Sequence, residues 1–249
     1  MESGATGAVQ SIARAFALLE ALADAGGALG VAELAGRSGL PQPTIHRLLR
    51  TLVELGYARQ EPSRKYALGP RLVPLGEVAG RRLGAAAEPR LRRVVDAFGE
   101  SANLALLDGH EIVYVAQSPG RHAMRMFTEV GRRAPLHCTA VGKAILAQLD
   151  GERAAALVAR AGMAAQTPRT LTSPQALERE LASIRARGYA TDEQEQELGV
   201  RCVGVALPGV AVHAAVSISA PALRLTDDVV ARALPLLRDT AAALASALG

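Results

Sequence analysis

Apolar residues recur along the first part of the chain at helical spacing, and the gaps between the recurrences mark out short helices. SIARAFALLEALAD (Ser11–Asp24) places Ile12, Phe16, Leu19 and Ala23 on one face, the stripe of a helix lying against other helices. VAELAGRSGLPQPTIHRLLRTL (Val31–Leu52) is more constrained. Ala35 supplies the small side chain that two crossing helices need, and Gly39 a residue tolerant of left-handed backbone angles. Leu40 then plugs the turn. Ile45, Leu48, Leu49 and Leu52 give the second helix one buried stripe. Its other face carries Gln42, Pro43, Thr44, His46, Arg47 and Arg50, a polar and cationic set suited to a major groove and its phosphates. The pattern is that of a DNA-reading helix-turn-helix.

The flanking pattern adds a wing. After Gly56, Tyr57 and Ala58 start a strand, Glu61-Pro62-Ser63 turns the chain, and Lys65 to Leu68 returns, with Arg59, Arg64 and Lys65 near the tip. Residues 8–69 are therefore expected to form the winged domain. A helical stripe of Leu72, Leu75, Val78 and Ala79 predicts a linker helix over 70–88, ending before Glu88-Pro89. Residues 89–249 make a second domain, opening on a short amphipathic helix (Pro89–Phe98) with Leu91, Val94, Val95 and Phe98 inward.

Past Gly99 the period changes. SANLALL, Asp108-Gly109 and IVYVA form a strand–turn–strand signal, and Met124–Val130 is a further strand candidate. Thr139–Leu149 and Gly151–Ala161 read as helices. Ser173-Pro174 caps another that runs to Arg187 and ends at Gly188-Tyr189. Val200–Leu207 and Val212–Ala220 are strands joined at Pro208-Gly209, and a last helix spans Asp227–Leu248. The interleaving predicts an α+β sheet domain with helices on one face.

Charge sharpens the DNA reading. The formal net charge is only +4, yet between Pro41 and Arg82 eight cations (Arg47, Arg50, Arg59, Arg64, Lys65, Arg71, Arg81, Arg82) face three acids (Glu54, Glu61, Glu77). A localised basic face is expected. Two cysteines, Cys138 and Cys202, and no recognisable signal peptide predict a reducing, cytoplasmic setting without a disulfide framework. No apolar run is long enough to span a bilayer.

The motifs LPQPTIHRLLRTLVELGY, YALGPRL, PLHCTAVGKAILA, RGYATD, VRCVGVALPG and AAVSISAP together resemble the IclR-type bacterial transcriptional regulators, over nearly the whole chain. The resemblance implies a winged helix, a linker helix and a GAF-like effector domain. It also implies a homodimer or dimer of dimers on double-stranded operator DNA, and a regulator, more often a repressor, in place of an enzyme. SISAPALRLTDD and MRMFTEVGRRAPLH are most similar to the allantoin- and glyoxylate-responsive branch. In it a small carboxylate or ureide would bind at the loop Cys138-Thr139-Ala140-Val141-Gly142, whose amides at a helix N-terminus suit an anion. Asp192, Cys202, Ser217 and Ser219 carry the branch's polar contacts by this resemblance, and Met126 and Leu136 its apolar wall. The turn LPGVAVH looks shorter than the family's, so the register of Ser217 and Ser219 against Cys202 depends on it.

The same residues have plainer readings. Cys202 sits in an apolar run as a small core residue would, Asp192 opens a charged stretch typical of solvated loops, and the two serines could face water. His137, Cys138 and Cys202 are soft enough for zinc, but three ligands without a CxxC pair do not make a site, and no metal or cofactor is expected. The rival function is a redox sensor or GAF-type thiol enzyme using Cys138 and Cys202.

Overall fold

The computed structural model describes residues 9–126 and 128–248, with the side chains of 79–83 outside that description. Ala79, counted in the linker stripe, and Arg81 and Arg82, counted in the basic excess, therefore lie outside the described side chains. The chain divides into two compact units, one up to Ala79 and one from Gly80 onward.

In the first unit, α1 (Gln10–Asp24), α2 (Val31–Ser38) and α3 (Gln42–Glu54) pack around Leu18, Leu22, Leu34, Ile45 and Leu49, all fully buried. Gly39 ends α2 at φ +66°, its N–H closing on the Ala35 carbonyl at 2.9 Å. The strands β1 (Ala58–Gln60) and β2 (Tyr66–Leu68) pair antiparallel as the wing. Reciprocal backbone bonds between Leu29 and Tyr66 (2.8 and 2.9 Å) tie β2 to the segment between α1 and α2. One expectation is corrected. The buried stripe of α1 is Ala15, Leu18, Leu19 and Leu22, while Ile12 and Phe16 are 57% and 58% exposed. Two apolar stripes overlap on this helix, and the leucine-rich one fills the gap against α2 and α3. Ile12 and Phe16 instead border an open apolar groove with Leu48, Leu55 and Leu75.

α4 (Leu72–Phe98) is one helix, not two. The expected break at Pro89 is absent. Proline removes one backbone donor and crowds the preceding turn, yet the helix continues through it. Arg90 Nη1 donates to the Ala86 carbonyl (2.7 Å), and Arg92 Nη2 donates to Glu88 Oε1 (3.1 Å). Beyond Pro89, Leu91, Val94 and Val95 are buried and anchor the helix in the second core.

The second unit is a six-stranded antiparallel sheet in the order β5-β4-β3-β8-β7-β6. The strands are β3 (Ser101–Asp108), β4 (Glu111–Ser118), β5 (Arg133–Pro135), β6 (Ala190–Glu193), β7 (Val200–Ala206) and β8 (Ala214–Pro221). The helices are α5 (Ala140–Gln148), α6 (Gly151–Ala161), α7 (Pro174–Arg187) and α8 (Asp227–Leu248). Helices cover both faces, against the expectation of one. The end of α4 and α8 bury Val203, Val205, Val216 and Ile218 on one side. On the other, α5, α6 and α7 cover Ala105, Ile112 and Ala215. Strand alternation explains the division: odd positions of β8 (Ala215, Ser217, Ser219) face α5 and even ones face α8. The candidate strand at 124–130 is not one; Met124–Met126 and Thr128–Val130 are irregular, and the edge strand β5 follows them.

The seat of α5 is set by glycines. A Cβ at Gly204 on β7 would stand 2.9 Å from the Ala140 carbonyl, and one at Gly142 would stand 2.5 Å from the Leu136 carbonyl. Only hydrogen at those positions lets the first turn of α5 lie on the sheet. Gly204→Ala is expected to push that turn away and destabilise the second unit by about 1–3 kcal/mol. Urea unfolding monitored by circular dichroism measures it, and an unchanged midpoint would contradict the packing.

Candidate effector cavity and DNA-reading surface

The outward side of α3 presents Gln42, Pro43, His46, Arg47 and Arg50 to solvent, with Thr44 half-buried. Pro43 lies in the first turn, where its missing donor costs nothing. In the wing, Arg64 adopts φ +62°, closing the tight turn in which its N–H bonds the Glu61 carbonyl at 2.9 Å. The cations here have only exposed acidic neighbours: Arg50 with Glu54 (3.9 Å), Arg59 with Glu61 (3.2 Å) and Lys65 with Glu33 (3.5 Å). Such exposed pairs are weak and exchange readily for phosphate.

In the second unit a cavity of about 60 Å³ lies between the sheet and the first turn of α5. Eight of the expected residues line it: Met126, Thr139, Ala140, Val141, Asp192, Cys202, Ser217 and Ser219. The sheet register brings the polar ones into line. Asp192 on β6 pairs Cys202 on β7, and Cys202 pairs Ser219 on β8. Ser217 lies opposite Gly204. The short turn before β8 therefore leaves the two serines in register with Cys202. Asn103 donates to Ser219 Oγ at 3.3 Å.

Three expected residues are not in the wall. Leu136 packs in the core beneath α5. Gly142 spends its amide on the Thr139 hydroxyl (3.1 Å). Cys138 is buried and donates its thiol to Gln196 Oε1 at 2.9 Å. The anion-binding capacity of the loop thus narrows to Ala140 and Val141, the first two residues of α5, whose amides have no partner within the helix. The wall also includes Tyr114, Thr128, Arg132 and Gln196, which sequence reasoning missed. Arg132 follows the misassigned strand, and only the correct position of β5 turns it toward the cavity.

Beneath the cavity sits a buried ion pair that was also missed. Lys143 is 1% exposed, its ammonium bonded to Glu195 Oε1 and 3.7 Å from Glu180 Oε1. A lone lysine inside an otherwise apolar helix, TAVGKAILAQL, was the available signal. Glu195 lies in the β6–β7 loop just beyond Asp192 of β6, whose Oδ1 accepts from the amides of Glu195 (2.7 Å) and Gln196 (3.3 Å). Thr167 and Thr170 hydroxyls hold the loop from outside, at 2.7 Å to the Gln194 carbonyl and 2.6 Å to that of Glu195.

Burial pushes the Asp192 carboxyl up to about 7, against the two amides that pull it down. Burial likewise raises the Cys138 thiol to about 12 and the Cys202 thiol and Tyr114 phenol further. Both cysteines are thiols without thiolate character, which leaves a redox or thiol-enzyme reading without a reactive group. His137 bonds the Ala164 carbonyl at 3.2 Å, and among the described residues no cluster of three His, Cys, Asp or Glu could hold a metal. Among them, too, no helix is long and apolar enough to cross a membrane.

An exposed cationic helix-turn-helix in one unit and a small polar cavity in the other are the features of a DNA-binding transcriptional regulator. Known proteins say the same. The chain matches the IclR helix-turn-helix domain over residues 11–62 and the bacterial transcriptional regulator IclR C-terminal domain over 77–246. It is 40% identical to the transcriptional repressor IclR of Escherichia coli over 90% of this chain and 84% of that protein. It is 34% identical to the HTH-type transcriptional repressor AllR of Salmonella paratyphi A, over 96% and 90%. A crystal structure described as a putative IclR regulator from Silicibacter superposes with a TM-score of 0.87 at 30% identity, covering 96% of each chain. The chain belongs to the IclR family of bacterial transcriptional regulators.

Asp192 makes stability depend on pH in a definite direction. Its folded-state carboxyl titrates near 7 against an ordinary 3.8. Its contribution is complete below about pH 4 and is lost as pH rises through 7. Asp192→Asn keeps the acceptor oxygen without the charge. It should overtake the wild type as pH rises, by up to about 1.4 kcal/mol per unit over that interval. Urea midpoints at pH 5 and pH 8 check this; a constant difference between the proteins would contradict it.

Proposed function

We propose that this regulator is a repressor whose operator affinity is set by a small carboxylate bound in the cavity of the second unit. Residues 8–69 read DNA, 70–88 link, and 89–249 sense the metabolite. The protein works in the cytoplasm as a homodimer or dimer of dimers, which would place two recognition helices on a palindromic operator. The name repressor carried by the relatives supports the sign of regulation.

One observation carries the ligand class. The cavity combines the free first-turn amides of Ala140 and Val141, the hydroxyls of Ser217 and Ser219 and the guanidinium of Arg132 in about 60 Å³. The donor set suits a compact carboxylate. Glyoxylate carries that charge, and the larger ureide allantoin does not. Met126 supplies apolar wall, and Asp192 and Cys202 complete the polar row.

On the DNA side, Arg47, Arg50, Arg64 and Lys65 hold phosphates, Gln42, Pro43 and His46 face base edges, and Thr44 serves the DNA backbone. Gln pairs well with adenine. Arg47→Ala is expected to weaken operator binding by about 1–3 kcal/mol if Arg47 reads a base, or to lower the salt slope by about one if it meets only phosphate. Affinity unchanged across several salt concentrations would remove Arg47 from the interface.

Coupling between metabolite and DNA is expected to be about 1–3 kcal/mol and reciprocal. Glyoxylate should raise the melting temperature and shift operator affinity, and Ser217→Ala should bind the operator normally but lose that shift. A stabilising effect of allantoin with none from glyoxylate would overturn the ligand assignment, as would a response that survives Ser217→Ala.

A further inference from the structure

We propose that the cavity takes its anionic effector together with one proton, which Asp192 holds and donates to the ligand's carboxylate. The inference rests on the carboxylate reading above and adds the protonation state in which recognition occurs.

The geometry makes the case. Asp192 lines the cavity yet is only 2% exposed, and among the described residues it forms no salt bridge: Lys143, which favours its charged form, is bonded to Glu195. One oxygen, Oδ1, takes the amides of Glu195 and Gln196; Oδ2 makes no hydrogen bond to a described residue. Asp192, Ala140 and Val141 line one cavity, so a carboxylate held on the two amides shares that space with Asp192. Two carboxylates in a small, desolvated space cannot both stay ionised; such pairs share one proton.

The surrounding charges leave no other compensation in the interior. Glu195, whose amide bonds Asp192, is matched by Lys143 of α5, so that pair is neutral as a unit. From β4 Tyr114, from β7 Cys202 and from the loop before α5 Cys138 face Asp192, and burial holds all three in their neutral forms. Glu197 adds negative charge at the wall, and Arg132 is positive there but exposed to solvent. A proton from solvent, bridging Asp192 Oδ2 and a ligand oxygen, turns a repulsion into a charge-assisted hydrogen bond. The carboxyl's upward displacement in the empty cavity agrees with this. A neutral Asp192 is also a donor, which selects carboxylates over ligands that offer only N–H groups.

The test is calorimetric titration of the full-length protein with glyoxylate at pH 6, 7 and 8, each in two buffers of different ionisation enthalpy. At pH 8 about one proton per site should be taken up, falling toward zero at pH 6, and Kd should weaken up to about tenfold per pH unit above 7. Asp192→Asn, which can still donate through its amide, should bind with a pH-independent Kd and no proton exchange. The buffer comparison on the wild type stands even if that variant fails to fold. Glyoxylate binding with no proton uptake would overturn this inference alone, and loss of that binding in Arg132→Ala would then assign the compensating charge to Arg132. Absence of binding by any small carboxylate would overturn the effector reading and this inference with it.

Discussion

The architecture of the sensing unit depends on how closely the first turn of α5 approaches the sheet. At Gly204 and Gly142 backbone meets backbone with no room for a methyl group. That contact seats the helix start on the sheet, and Ala140 and Val141 line the cavity there. Thr139 caps the turn by accepting from the Gly142 amide, satisfying one of the four donors that a helix start leaves open. The cavity is the space left between this turn and the row of small polar side chains on β6, β7 and β8.

The same approach accounts for the buried ion pair. A helix lying flat on a sheet buries every side of its first two turns, and Lys143 falls inside that region. Its charge needs a partner, and Glu195 from the β6–β7 loop provides one. Buried pairs of this kind add little net stability, but losing one partner leaves the other charge stranded. The pair thus acts as a positional device. It pins the loop on α5, and the loop's amides in turn hold the carboxyl of Asp192 on β6. Helix, loop and acid form a single mechanical unit whose charge balance a bound anion would alter.

Some of this was written plainly in the chain and some was not. The helix-turn-helix was legible because each position has its own steric demand: Gly39 does adopt left-handed angles, and Ile45, Leu49 and Leu52 are buried. The helix Pro174–Arg187 was legible from its cap and its terminal glycine. The stripe of α1 was misread because two apolar stripes overlap on it, and periodicity alone does not say which meets a neighbour. Pro89 suggested a break, and the helix runs through it. The edge strand β5 has three residues and no alternation to read, which hid Arg132. In the cavity, the resemblance named Asp192, Cys202, Ser217 and Ser219, and the register places Asp192, Cys202 and Ser219 in one cross-strand row with Ser217 lining the same space. Leu136, Cys138 and Gly142 came from the same resemblance, and their side chains or amides are spent on packing, the Gln196 contact and capping. The Lys143–Glu195 pair joins residues far apart in sequence, and only the fold reveals it.

The central claim is that the open amides at the start of α5 receive the effector's anionic group. The most direct measurement is a titration of ¹⁵N-labelled protein with glyoxylate, following backbone amide resonances. The account predicts that the largest saturable shifts fall on Ala140 and Val141, with smaller ones on Ser217 and Ser219. Saturable shifts that leave Ala140 and Val141 unmoved would contradict it.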